Sequence, residues 1–255
     1  MLTVKPLPAF QDNYIWLLQQ DTTSDLAVVD PGDATPVIDY IERYGLALDT
    51  ILITHHHRDH TGGLAELAKR YSPRIIGPHN DKIKELTENV SEGDSFRLLG
   101  RRVEVLETPG HTLDHITFLL PGTPSLLLCG DTLFCGGCGR LFEGTPEQMF
   151  EALERFKQFS DDTLVFGAHE YTLANLAFAQ AAEPDNAERD ALLKECERVR
   201  ALGRPTLPTT IGRERAINPF LRADKPAVQN QVAKQGNTVD ALSTFTALRA
   251  WKDNF

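Results

Sequence analysis

Thr54-His55-His56-His57-Arg58-Asp59-His60 stands directly after a short apolar run, Thr50-Ile51-Leu52-Ile53, and directly before a segment with helical spacing. The run reads as a buried strand, and residues 62–71, with Leu64, Leu67 and Ala68 on one face, read as a helix. In an extended loop alternate side chains point the same way. His55 and His57 therefore converge on one point, while Asp59 and His60, where the loop turns into the helix, face a neighbouring one. Neutral imidazole nitrogens and a carboxylate oxygen suit zinc, iron or manganese, and the lack of thiolate argues against a structural zinc cage. Three adjacent histidines alone could be an adventitious surface patch. Asp59 and His60 in register with them argue otherwise.

Working outward, the chain alternates strands and helices up to about residue 167. Residues 14–18, 26–29, 74–76, 103–106, 116–120, 126–129 and 164–166 read as strands, and 35–44 and 146–159 as helices. Thr145 is the expected cap of the latter, with Pro146 at its first position. Three strands end in residues of chemical interest: His111, Asp131 and His169. A centre of two ions needs these ligands as well. One carboxylate can bridge two ions, and Asp131 is the natural choice. The expected sets are His55, His57 and His111 on one ion and Asp59, His60 and His169 on the other, with Asp131 between them.

Past residue 167 the texture changes. Residues 173–182, 187–202 and 238–251 read as helices, 205–219 as a proline-interrupted stretch, and no strand signal appears. The expected organisation is an α/β catalytic body, 1–167, and a mostly helical part, 168–255, that binds substrate. The 255 residues carry a formal net charge of −10, which disfavours nucleic acid, whose binding rests on cationic side chains. No apolar run is long enough for a signal peptide or a membrane helix. Four cysteines do not make a disulfide framework in a chain of this size. A monomeric protein of the cytoplasm, with reduced thiols and no membrane association, is expected.

The His-x-His-x-Asp-His window, the later Gly-His-Thr and Gly-Asp-Thr, and the final histidine resemble the metallo-β-lactamase superfamily, whose fold is a four-layer αββα sandwich. Finer motifs resemble glyoxalase II along the whole chain: Asp12-Asn13-Tyr14, Val29-Asp30-Pro31-Gly32-Asp33, Gly130-Asp131-Thr132-Leu133-Phe134, Gly137-Cys138-Gly139-Arg140, and Ile217-Asn218-Pro219-Phe220-Leu221-Arg222. The resemblance implies a thioesterase that cleaves S-D-lactoylglutathione to D-lactate and glutathione, the second step of methylglyoxal detoxification. It also implies two divalent ions, zinc first, with iron or manganese as alternatives. Such ions lower the pKa of a shared water toward neutrality, with Asp131 bridging and Asp59 orienting that nucleophile. Arg140, Phe142, Tyr171, Asn175, Arg249 and Lys252 are implied as the substrate-binding residues. Cations there would offset the acidic background for a substrate bearing carboxylates. Phe142 stands where many relatives have Tyr, Arg140 where a Lys is common, and Asp114 where Gly is common.

Other readings are set aside on stated grounds. A lactonase, lactamase or phosphodiesterase of the same fold would have no use for the cations Arg140, Arg249 and Lys252. A persulfide dioxygenase with one iron would not need Asp59, His60 and His169 together, and a non-catalytic scaffold would not keep every ligand. Cys135-Gly136-Gly137-Cys138 resembles a dithiol motif but reads as a glycine-rich substrate loop. His115 and His56 are expected to support or pack. Asp30 and Asp33 are expected either to orient ligands or to cap a turn.

Overall fold

The computed structural model describes residues 2–236 and 240–255. Its first sheet has the order β1 (Leu2–Ala9), β2 (Asn13–Gln20), β3 (Asp25–Val29), β4 (Ala47–Leu52), β5 (Arg74–Pro78), β6 (Glu88–Val90). Strands β3 to β6 run parallel, and both faces of β2 and β3 are buried. Trp16, Leu18, Ala27 and Val29 face one core, while Ile15, Leu17, Leu26 and Val28 face another. Such strands read as continuous apolar runs because both sides are covered. The outer cover is α1 (Ala34–Tyr44) and α3 (Leu64–Tyr71), whose Val37, Ile38, Ile41, Leu64 and Leu67 complete that second core.

The second sheet consists of β7 (Ser95–Leu98), β8 (Arg101–Glu107), β9 (Ile116–Leu120), β10 (Leu126–Gly130), β13 (Leu164–Gly167) and β14 (Thr209–Thr210), in that spatial order. Between β10 and β13 lie a hairpin, β11 (Leu133–Phe134) with β12 (Gly137–Cys138), and helix α4 (Pro146–Phe156). Val103, Val105, Phe118 and Leu128 meet the first sheet across the central core. Leu119, Leu127 and Val165 face outward onto α4, α8 (Pro226–Ala233) and α9 (Ala241–Asp253), with Phe178 of α5 (Thr172–Ala182) in the same cluster. Helix, sheet, sheet and helix make four layers, as expected for an αββα sandwich. Helices α6 (Ala187–Ala201) and α7 (Ile211–Ile217) complete the C-terminal region.

Several local expectations change. The expected 62–71 helix is α3, which starts at Leu64, and a further short helix, α2 (Arg58–Thr61), precedes it across Gly62 and Gly63. A Cβ at Gly62 would lie 2.5 Å from Gly32 O, and one at Gly63 2.6 Å from Pro31 O. The two glycines are therefore needed for the 30–32 turn to pack against the histidine loop. Strand β1 was unforeseen because it contains Pro6 and Pro8; it is an edge strand, where a missing N–H is tolerated. Strand β14 corrects the expectation of no strand beyond 167, since Thr209 and Thr210 pair with β13. Helix α4 ends at Phe156, short of 159, although Thr145 caps it as expected and also forms a capping box with Gln148. Of the expected 238–251 helix, residues 238 and 239 lie outside the described residues, and α9 runs on to Asp253. No helix among the described residues is long and apolar enough to cross a membrane.

Candidate metal centre

The expected ligands lie past strand ends, all on loops except Asp59 and His60, which belong to the short helix α2. His55 to His60 follow β4, His111 follows β8, Asp131 follows β10 and His169 follows β13. A rigid sheet with function on its connecting loops is the general arrangement. His55 Nε2 lies 3.2 Å and His111 Nε2 lies 3.0 Å from His57 Nδ1. Asp59 Oδ2 lies 3.3 Å from His60 Nε2 and 3.5 Å from His169 Nε2. Asp131 spans both groups: its Oδ2 is 3.4 Å from His111 Nε2 and from His169 Nε2, and its Oδ1 is 3.6 Å from His60 Nε2.

A tetrahedral ion with bonds of about 2.1 Å holds its ligand atoms about 3.4 Å apart, the spacing seen here. Buried His60 Nε2 and Asp131 Oδ1 have no hydrogen-bond partner among the described residues. Orphaned polar atoms are costly, and both point where an ion would supply the missing partner. Electrostatics agrees. Burial alone would raise the Asp131 pKa, but His169 and His60 outweigh it and hold the carboxyl well below its usual range. Burial would lower His60, yet Asp131 and Asp30 hold it well above the usual imidazole value. The centre draws positive charge onto itself, and a divalent cation is a stronger form of the same charge. The residues fit divalent ions.

The remote nitrogen of each ring except His57 is engaged, which fixes the other as the ligand atom. His55 Nδ1 is 3.0 Å from Thr54 Oγ1, whose hydroxyl donates to Asp30 Oδ2 at 2.7 Å. His60 Nδ1 donates to Asp30 Oδ2 at 3.0 Å, His111 Nδ1 to Arg140 O at 2.8 Å, and His169 Nδ1 to Asp12 Oδ1 at 2.8 Å. Asn13 Nδ2 donates to Asp59 Oδ2 at 3.0 Å. Asp30 thus orients a ligand, whereas Asp33 caps α1 through Thr35 N. Asp12 and Asn13 had no role in the sequence reading beyond a motif. Their signal was position, Asp12 in the turn before β2 and Asn13 as its first residue, which the fold lays against His169.

His115 is buried, stacks on His55 with ring centroids 4.9 Å apart, and its Nε2 accepts from Asp131 N at 3.1 Å. Burial, reinforced by His111, pulls its pKa down to about 3, so it stays a neutral acceptor. Asp114 accepts from His56 Nδ1 at 2.9 Å and Asn80 Nδ2 at 2.7 Å, tying the histidine loop to the loop after β8. The four cysteines are all free and buried. Cys135 packs into the central core and Cys138 into the outer one.

A cavity of about 590 Å³ opens above the centre, lined by Arg140, Phe142, Tyr171, Asn175 and Arg249 among others. Phe142 stands edge-on to His57 and His111 at 5.4 and 5.3 Å. Tyr171 stacks on His169 at 4.7 Å with an interplanar angle of 7°. Asn175 N donates to Tyr171 O at 2.9 Å, which puts both residues on one turn at the head of α5. Arg140 is exposed, its Nε 3.2 Å from Asp253 Oδ1. Two expected cations differ from that picture. Lys252 is not among the cavity-lining residues; its Nζ donates to Ala174 O at 3.3 Å and lies over the Phe178 ring at 5.3 Å. Arg249 reaches the lining but is buried, with Nη1 donating to Cys138 O at 2.8 Å and Nη2 to Asp253 Oδ1 at 2.9 Å.

A family model described as metallo-beta-lactamase superfamily matches residues 10–169, and one described as hydroxyacylglutathione hydrolase C-terminus matches residues 170–255. The chain is 65% identical over 255 residues to a protein of Chromohalobacter salexigens named hydroxyacylglutathione hydrolase, covering 100% of both chains. A protein of the same name from Vibrio cholerae is 50% identical over 256 residues, again with 100% coverage of both. Among solved structures, ETHE1 from Myxococcus xanthus superposes with a TM-score of 0.66 over 99% of this chain and 98% of that one. At 23% identity this likeness concerns the fold alone. With both halves matched in order, and full-length relatives at such identity, the chain belongs to the hydroxyacylglutathione hydrolase family of the metallo-beta-lactamase superfamily.

Proposed function

We propose that this protein is a thioesterase that hydrolyses S-2-hydroxyacylglutathiones, S-D-lactoylglutathione foremost, to the hydroxy acid and glutathione. The observation that carries the reading is the pair of ligand triads sharing Asp131 at the floor of a cavity whose far wall comes from the C-terminal helices. In this reading His55, His57 and His111 hold one divalent ion, Asp59, His60 and His169 hold a second, and Asp131 serves both. Zinc is the ion we assign, although imidazole and carboxylate also accept iron and manganese. Bound there, the ions supply Lewis acidity that makes water nucleophilic near neutral pH and draws charge from the thioester carbonyl.

The chain's own residues do the rest. Asp59, steadied by Asn13, offers an acceptor that orients a proton of the attacking water. Phe134, Phe142 and Tyr171 wall the cavity and pack against His111 and His169. Arg140 at the rim meets a glutathione carboxylate, Tyr171 and Asn175 line the same cavity, and Lys252 joins them by exchanging its contact with Ala174 O for the ligand. Glutathione departs as a thiolate, whose parent thiol has a pKa of about 8.5, so no strong general acid is needed. Residues 1–167, with His169 just beyond them, form the catalytic part and the rest of 168–255 the substrate-binding part of this scheme. A cytoplasmic location accords with four free, buried cysteines, and a monomer is the state we propose.

The test is a side-by-side assay of metal-loaded protein with S-D-lactoylglutathione, a lactone, a β-lactam, a phosphodiester and glutathione persulfide, with metal content measured per chain. Preferential thiol release from the lactoyl thioester with two ions bound is expected. No thioester turnover at full metal occupancy would overturn the reading.

A further inference from the structure

Asp12, Asn13 and Tyr14 lie antiparallel to residues 168–170. Tyr14 N donates to Ala168 O at 2.7 Å and Glu170 N to Asp12 O at 2.8 Å, around the single bridge between Asn13 and His169. Successive side chains alternate across such a pair. Asn13 and His169 face the metal centre, where Asn13 Nδ2 donates to Asp59 Oδ2 at 3.0 Å and His169 Nε2 lies 3.4 Å from Asp131 Oδ2. Tyr14 and Glu170 face the other way and meet, with Tyr14 Oη donating to Glu170 Oε2 at 2.8 Å. The same carboxylate takes two bonds from the loop before β14, Thr206 N to Oε2 at 2.9 Å and Thr206 Oγ1 to Oε1 at 2.6 Å. The Glu170 side chain is 5% exposed, and Arg200 Nη1 stands 3.7 Å from it.

A pair held by two main-chain bonds is weakly fixed in register, and a slip of one residue turns every side chain to the opposite face. Here a slip would take Asn13 off Asp59 and would part Asp12 from His169, whose Nδ1 donates to Asp12 Oδ1 at 2.8 Å. Both losses fall on one ion, the one assigned to Asp59, His60 and His169. Glu170 opposes the slip. From the position after His169, its carboxylate reaches the residue after Asn13 and the loop before β14 at once. Glu170 does not line the cavity above the ions, so its effect on the centre passes through this backbone.

We infer that Glu170 is a positioning residue for the ion held by Asp59, His60 and His169, fixing the register of 12–14 against 168–170 by hydrogen bonds rather than by charge. The inference rests on the reading of those three residues as metal ligands given above. It also makes the loop before β14, in the C-terminal region, a support of the metal centre.

The experiment uses full-length, metal-loaded protein with Glu170→Ala, Glu170→Gln and, as a control for general loosening, Glu183→Gln. Three quantities are measured without substrate: the rate of ion loss to dipicolinate, the visible spectrum of the cobalt(II)-substituted protein, and Tm. One of the two ions should leave Glu170→Ala about tenfold faster than wild type, as for other residues that orient a ligand. The cobalt bands should change with it. Glu170→Gln should stay near wild type. Its amide oxygen accepts from Tyr14 Oη and Thr206 N, and its amide nitrogen donates to Thr206 Oγ1, which turns its own proton to Thr172 Oγ1 at 2.6 Å. Glu183→Gln should lower Tm yet lose ions at the wild-type rate. Wild-type ion loss and an unchanged cobalt spectrum in Glu170→Ala would overturn the inference and leave Glu170 a tie of the fold alone. Equally fast loss from Glu183→Gln would overturn it too, as would ion loss from Glu170→Gln as fast as from Glu170→Ala. If Glu170→Ala does not fold, Tyr14→Phe, which removes one of the three donors at nearly constant volume, carries the same decision. Failure of the wild-type protein to bind ions would instead defeat the underlying reading of the centre.

Discussion

Replacing Asp30 with Asn changes one oxygen to an amide nitrogen and leaves the size of the side chain intact. Asp30 Oδ1 accepts from Thr54 N at 2.8 Å; Oδ2 accepts from Thr54 Oγ1 at 2.7 Å and from His60 Nδ1 at 3.0 Å. The carboxamide oxygen must stay on Thr54 N, because that backbone N–H can only donate. The new amide nitrogen then faces His60 Nδ1 with donor against donor. His60 relieves this by moving its proton to Nε2, the buried atom that lacks a partner and faces Asp131. A protonated Nε2 cannot ligate. The backbone does not confuse the outcome: Asp30 sits at φ 53, a left-handed conformation that Asn also tolerates. Loss of such an orienting partner costs about 10–100-fold in metal affinity, or about 1.4–2.8 kcal/mol. Asp33→Asn is the control, since Asp33 caps α1 and Asn caps as well as Asp. Competition with a chromophoric chelator, with ions counted by atomic emission, should show Asp30→Asn losing the ion held by Asp59, His60 and His169 first, and Asp33→Asn unchanged. Wild-type affinity for both ions in Asp30→Asn would refute this account of how His60 is oriented.

Other perturbations have defined outcomes. Asp131→Ala removes the one carboxylate 3.4 Å from both His111 and His169, so both ions and nearly all turnover should go; two retained ions by elemental analysis would exclude a bridging role. Gly139→Ala places a Cβ 2.0 Å from a backbone oxygen that cannot step aside, and thermal melting should show a loss of about 1–3 kcal/mol. Arg140→Ala should raise KM for the glutathione thioester well beyond its effect on kcat, because a rim cation binds ground and transition states alike. Glu183, paired with Arg222 at 2.7 Å, is pushed up by burial but held below the usual carboxylate range by Arg222 and Asn186. The stability it contributes is present above the unfolded pKa of about 4.3 and lost as pH falls through the lower folded value. Glu183→Gln should cost about 2 kcal/mol near neutrality and flatten stability against pH in the acid range, as denaturant melts at stepped pH would reveal.

The metal-centre residues were legible because their chemistry is local. A histidine or an aspartate is a ligand by residue type, and the alternation of His55 and His57, like the apolar runs before Asp131 and His169, is visible over a few positions. The two-sided burial of β2, β3, β9 and β10 and the helical spacing of α1 and α4 are equally short-range patterns, so an α/β body followed from them, while the four-layer arrangement came from the family resemblance. What lay beyond reach was everything that depends on which loops meet. Asp30 and Asp33 stand three positions apart on one turn, and only the packing of Gly62 and Gly63 against that turn makes one an orienter of His60 and the other a cap. Asp12 orients His169 from 157 positions away. Arg249 reads as a cation near the end of a helix, and only the fold lays its guanidinium against the carbonyls of 138 and 139. A charged side chain's role is set by the nearest opposite dipole, and proximity across a hundred residues is a property of the packed layers, not of spacing along the chain.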